Sequence, residues 1–368
     1  MNTKKNVSYK WISKCIRRPC RSYLRALLLA PLLLPSTSFA APPIVAPAVI
    51  APPRPASGQS ESAGSYYSVL SALQKDVSGF PPPAEYVVNG SQNVSTNLIA
   101  ARRIVFLPNA NLVFTGLRNP GPVQIVANEI SIQGNATISW VPASDTSKVP
   151  PARGQAPNGL SGRFSGEPGS RGNDGEPGNN GYSGATAPSV LLLASTITGS
   201  GLLALDLRGQ SGGLGGQGQA GGDGGPGARG ENAKEAPFAG CRAGPGSGGT
   251  GGDAGGGGRG GSGGAGGDGG DFALVVADTT LADRFRVFND GGLGGKGGTG
   301  GPPGKLGIPG SEGATTGWCQ SASRPGTSGK LASAGLDGPK GGDGVVGKFS
   351  IIQATPEQLQ AFPPSRAQ

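Results

Sequence analysis

The sequence predicts an all-β fold, a parallel β-solenoid with three glycine-rich hairpin insertions packed as a polyglycine II helix bundle. Three observations point there. Short apolar segments recur with one pattern, at 124–130, 191–197 and 274–280. Glycine takes every third position from Gly209 to Gly230 and again from Gly246 to Gly270. The glycine-rich stretches leave the apolar segments at equivalent points, after Trp140, Leu207 and Phe288.

Taken in order, residues 1–40 read as a signal peptide. Eight basic residues precede the short apolar core 26–34, and Ser38-Phe39-Ala40 supplies a small-x-small cleavage site. That core is too short to span a bilayer. The leader holds eight of the 31 Lys and Arg and none of the 22 Asp and Glu, leaving 23 against 22. The sequence pI of 9.6 is therefore a property of the leader, and nucleic acid is not an expected partner. The expected location is secreted, extracellular or cell-surface, with the periplasm as an alternative. Contact with a membrane is expected only through the signal peptide.

Residues 41–64 are rich in proline and alanine and read as an extended linker. Residues 65–80 predict a short helix, because Tyr66, Val69, Leu70, Leu73 and Val77 share one face and Phe80-Pro81-Pro82-Pro83 ends it. Residues 84–149 carry short β-branched runs: 104–107, 112–114, 123–126, 130–132 and 138–140. In the recurring pattern, Gln124-Ile125-Val126-Ala127 matches Leu191-Leu192-Leu193-Ala194 and Leu274-Val275-Val276-Ala277. A second apolar group follows each about ten residues on: Ile138/Trp140, Leu203/Leu205/Leu207 and Phe285/Val287. Rungs are expected at 188–207 and 272–290, with a last strand and C-terminal tail at 348–368. A β-sandwich is the competing reading.

The hairpins are expected at 150–187, 208–271 and 291–347. A glycine at every third residue implies a three-residue turn with one edge bare, so that another backbone can approach. Gly166–Gly184 is collagen-like, but the later legs are dominated by Gly-Gly-x, as in Gly263-Gly264-Ala265-Gly266-Gly267. Two bare edges suit a helix with neighbours on several sides. Cys241 and Cys319 are the cysteines outside the leader, and each lies midway along its hairpin. A disulfide between the two tips is expected; two unpaired thiols are the alternative.

Gly-Gly-x legs joined by turns, with a disulfide at the tips, resemble the glycine-rich antifreeze proteins of snow fleas, which are polyglycine II bundles. They are also similar to the glycine-rich tail-tip adhesins of bacteriophages. The resemblance covers 209–347 and, less fully, 154–184. It implies the bundle architecture and carries no functional residue.

The chain has no histidine, which removes Ser-His and Cys-His nucleophile pairs, His-ligated zinc and His general bases. No cofactor, metal site or catalytic residue is expected. The Gly266–Ala273 segment approximates one calcium-binding nonapeptide, but as a single copy. Asp223, Asp253, Asp268, Asp337 and Asp343 read as solvated leg residues. Glu129 with Asp206 is a thin pairing for a carbohydrate-active enzyme. The expected function is that of a non-catalytic structural or adhesive protein of a surface or matrix, monomeric, whose partner is a cell-surface or matrix component such as a glycan. The candidate contact is the tip, with Phe238, Arg242, Trp318 and Arg324, since these residue types are enriched at interfaces. The plainer reading is that Phe238 and Trp318 only cover the tip disulfide. Ice binding is the alternative function; it needs a flat face free of charge.

Overall fold

The computed structural model describes residues 83–117, 122–143, 145–238 and 240–359. The expected signal peptide, linker and 65–80 helix lie outside the described residues, as does the chain beyond 359. All described residues belong to one compact unit, 56–368.

The first strands in chain order are β1 (Glu85–Val88), β2 (Ser91–Val94), β3 (Leu98–Phe106), β4 (Asn111–Thr115), β5 (Val123–Ile132) and β6 (Ala136–Val141). Then come β7 (Val190–Thr198), β8 (Leu203–Asp206), β9 (Lys234–Ala236), β10 (Gly240–Ala243), β11 (Phe272–Val276), β12 (Phe285–Phe288) and β13 (Phe349–Gln353). One six-stranded sheet has the order β1-β3-β5-β7-β11-β13, and one five-stranded sheet the order β12-β8-β6-β4-β2. Every pairing within both sheets is parallel. The chain thus alternates between sheets, and each return adds one strand to the same edge. The fold is all-β with few helices: a 3-10 turn at Thr279–Arg284, whose first turn is capped by Asp278, and α1 (Pro356–Leu359).

Alternation along each strand builds the core. Ile125, Leu192 and Leu274 stack across the larger sheet, and Ile138 and Leu205 across the smaller, all fully buried. The outer face of the larger sheet is apolar as well. Val126, Leu193 and Val275 are buried there with Leu359, and Ser195 Oγ donates to the Leu359 carbonyl at 3.0 Å.

Two sequence expectations need correcting here. The runs 123–126 and 130–132 are one continuous strand, β5. The third apolar copy is out by one residue: Leu191 pairs with Ala273, and Leu192 with Leu274. Matching Leu274 to Leu191 would turn Phe272 outward, because side chains alternate faces at every residue. Phe272 is instead fully buried and stacks on Phe349, ring centroids 5.3 Å apart. At the far edge Phe349 and Ile351 stand over Phe272 and Leu274 yet are partly exposed, since the five-stranded sheet stops at β12.

Between the strands run six glycine-rich legs among the described residues: 150–163, 166–188, 208–232, 246–271, 289–314 and 324–348. Backbone hydrogen bonds join them at every third residue. The third leg donates to the fifth in parallel (Gly212 to Leu293, Gly215 to Lys296) and to the second in antiparallel sense (Gly213 to Tyr182, Gly216 to Asn179). The fourth leg is bonded to the second, third, fifth and sixth, whereas the sixth is bonded only to the fourth and fifth.

Glycine content follows from this. The fourth leg has glycine at two of three positions and the sixth at about one. A Cβ at Gly258 would overlap the Glu176 carbonyl, and one at Gly257 the Gly301 carbonyl. The collagen-like segment obeys the same rule: a Cβ on Gly172 or Gly178 would meet carbonyls of the third leg. Its glycines face other legs of the same chain, not two further chains.

The third amide of each triplet points out of the packing, and side chains from the neighbouring leg cap many of these. Asp223 accepts from the Lys305 amide at 2.8 Å, Asp253 from Lys330 at 2.6 Å and Asp268 from Val345 at 2.7 Å. Asp337 and Asp343 of the sixth leg instead accept from the Gly300 and Gly294 amides, which face that leg. The aspartates expected to be merely solvated are therefore latches between legs. Asp268 and Asp271, the acidic pair of the nonapeptide-like segment, are both used this way.

Candidate functional site: the distal turns

The second and third hairpins end in a covalent junction, a Cys241–Cys319 disulfide with Cα atoms 4.9 Å apart. Equal leg lengths bring the two cysteines level, and the Ala233 amide bonded to the Ala314 carbonyl holds the legs in register up to this point. Here glycine gives way to β9 and β10, a short antiparallel ribbon. Cys319 is buried, with its Sγ 3.3 Å from the Lys234 carbonyl, while Cys241 is exposed.

Phe238 sits in the ribbon's turn with a φ of 64°, the left-handed region that L residues avoid. Its side chain is fully exposed, at 110% relative accessibility. Trp318, beside Cys319, is 76% exposed, and its amide donates to Glu235 Oε1 at 2.7 Å. That bond holds the Glu235 carboxyl below the usual glutamate range. Most of the surface of each ring therefore faces solvent.

Arg242 lies in β10 next to the disulfide and is exposed. Arg324 lies further back, at the start of the sixth leg, where its amide donates to Ser247 Oγ at 3.3 Å. The structure thus gathers Phe238, Arg242 and Trp318 around the disulfide and leaves Arg324 at the margin.

A third aromatic is not singled out by the sequence pattern. The first hairpin is shorter and turns at 163–166, alongside 226–229 of the third leg. Phe164 is 76% exposed on that turn. Glu167 pins the turn by accepting from the Arg163 and Phe164 amides at 2.7 and 2.8 Å, which holds its carboxyl low. Each of the three hairpin turns therefore presents one exposed aromatic, toward the end of the legs away from the sheets. The signal is present as Arg-Phe-Ser interrupting the glycine triplets, but the hairpin's turn cannot be placed without the register.

Among the described residues no group of three His, Cys, Asp or Glu could hold a metal ion. Glu129 and Asp206, the thin carboxylate pairing, lie in different sheets. Glu129 accepts from the Thr198 hydroxyl, and Asp206 is bound to Arg208. Among the described residues no helix is long and apolar enough to cross a membrane.

No family model matches this sequence, and no curated protein matches it. Among solved structures it has a weak likeness to a springtail antifreeze protein from Granisotoma rainieri, described as a nine polyproline type II helical bundle whose crystal waters match the ice lattice. The identity is 24%, over 49% of this chain and 94% of that one, with a TM-score of 0.08. At that score the likeness carries no argument about this chain.

Proposed function

We propose that this chain is a non-catalytic adhesive module, secreted and monomeric, that meets a cell-surface or matrix component through its distal turns. In this reading the two sheets close as a parallel β-solenoid, and the six legs form a polyglycine II bundle that holds the turns away from it. The three-residue hydrogen-bond spacing supports the bundle, and the strand-by-strand alternation between parallel sheets supports the solenoid. A disulfide at the tip fits an oxidising compartment.

The observation that carries the functional reading is the set of three exposed aromatics, Phe164, Phe238 and Trp318, one on each turn. Large apolar side chains exposed in one region mark interaction surfaces. Phe238 adds a second argument, because a phenylalanine held at positive φ costs about 1–2 kcal/mol relative to glycine. Folding alone would favour glycine there.

The same variant set tests both points. Phe238→Gly should raise the thermal midpoint slightly, and Phe164→Ser/Phe238→Gly/Trp318→Ser should stay folded by circular dichroism. Surface attachment of the labelled triple variant to cells of the producing organism should fall at least about tenfold, the loss of one ordinary hot spot. Attachment equal to the parent's would overturn the assignment. Ice binding is disfavoured because both faces of the bundle carry charge: Asp223, Lys296 and Lys305 on one, Asp253, Arg259 and Lys330 on the other. Thermal hysteresis by the parent protein would reverse that preference.

A further inference from the structure

A second site lies at the opposite end of the legs, where the first, third and fifth leave the five-stranded sheet. There Trp140, Asp206, Arg208, Ser211, Gly291 and Leu293 line an open cleft of about 450 Å³, within the roughly 300–1,000 Å³ of small-molecule sites.

Trp140 is the penultimate residue of β6, partly buried against the core, and its indole N–H donates to the Arg208 carbonyl at 3.1 Å. That bond fixes the ring's orientation. Arg208 in turn grips Asp206 in two-pronged fashion, Nε to Oδ1 at 2.8 Å and Nη2 to Oδ2 at 2.6 Å. The pair leaves Nη1 and the remaining carboxylate lone pairs for a ligand.

The floor adds donors. Some outward amides of this row are capped by side chains: Asp223 by Asn158, Lys305 by Asp223, Ala314 by Asn232. The outward amides of Ser211 and Leu293, which belong to the same series, carry no such cap among the described residues. Thr146 reaches Ser211 but donates to its carbonyl.

We propose that this cleft binds a neutral hexopyranose. The indole offers an apolar surface to the sugar's C–H groups, while the fixed carboxylate–guanidinium pair and the two open amides offer acceptors and donors to its hydroxyls. The Asp206–Arg208 pair is internally neutralised. A charged ligand gains little from a neutralised pair, whereas a polyol hydrogen-bonds to it intact. This site is separate from the aromatic turns.

The test is saturation-transfer NMR on the full chain against a panel of neutral gluco-, galacto-, manno- and N-acetylhexosamine oligosaccharides. The expected result is saturable binding of at least one, with the ring C–H protons most strongly saturated. Affinity should fall at least about tenfold, or about 1.4 kcal/mol, in Trp140→Phe and in Asp206→Asn/Arg208→Gln. The distal triple variant should bind as the parent does, so that loss of attachment and loss of sugar binding stay distinguishable. If no sugar is bound at about 10 mM, weaker than ordinary millimolar recognition, the proposal is overturned. Equal binding by parent and both cleft variants would overturn it too.

Discussion

At the scale of the residue, glycine here is a steric requirement set by neighbours. Gly258 donates to the Gln219 carbonyl and accepts from the Gly301 amide, both at 2.8 Å, and a Cβ would overlap the Glu176 carbonyl. That neighbour is backbone, pinned by its own bonds, and cannot rotate away. Gly342 faces outward on the sixth leg, with nothing within 4 Å of its would-be Cβ. Gly258→Ala should therefore cost about 3 kcal/mol through overpacking and lost hydrogen bonds. Gly342→Ala should be neutral or stabilise by about 0.5 kcal/mol, by restricting the unfolded chain. Thermal melts of the two variants check this. Equal midpoints would mean that the leg contacts do not hold in solution.

At the scale of the element, the tip is a ribbon clamped by one disulfide and one carboxylate. The Trp318 amide stabilises the ionised form of Glu235, so its folded pKa is lowered. The sign follows from linkage: the contribution is present above the unfolded value and is lost as pH falls through the folded one. Acidification below the glutamate reference of 4.5 should thus loosen the Trp318 segment while the disulfide keeps the tips joined. The emission of Trp318, read in a Trp11→Phe/Trp140→Phe background, should shift in acid, and Glu235→Ala should show the shifted emission already at neutral pH. An acid shift unchanged by Glu235→Ala would assign it to another group.

At the scale of the whole molecule, stability should grade with the number of bonded neighbours. The third and fourth legs each have four and the sixth has two. Amide exchange should therefore be slowest across 208–232 and 246–271 and faster across 324–348, by at least about tenfold, since the outer leg can open without breaking the inner contacts. Mass-spectrometric exchange checks the order. A reversed order would deny that the third and fourth legs are the centre of the packing.

How much of this is legible in sequence varies with the physical signal. Apolar–apolar–Ala runs expose the strands, but one run misaligns by a residue. Leu274-Val275-Val276-Ala277 reads better against Leu191–Ala194 than the true partner, Ala273-Leu274-Val275-Val276. Only packing of Phe272 selects the face. The cysteines at equal depth make the disulfide readable. Phe164 escapes notice, because its hairpin is shorter than the other two and its turn has no cysteine to mark it.

The glycine triplets determined by themselves that these legs must lie against other backbones, because a bare edge at every turn has no other use in a folded chain. The absence of histidine narrowed the chemistry in the same way, by composition alone. Which legs touch was decided only in three dimensions, since a triplet repeat is nearly unchanged by a three-residue slip. The latches depend on that register: Asp223 reaches Lys305, and Asp268 reaches Val345, only when the strands below have set the starting point of each leg. The Trp140 cleft likewise exists only where three legs leave one sheet side by side, a meeting of residues 140, 208 and 291 that no local pattern encodes.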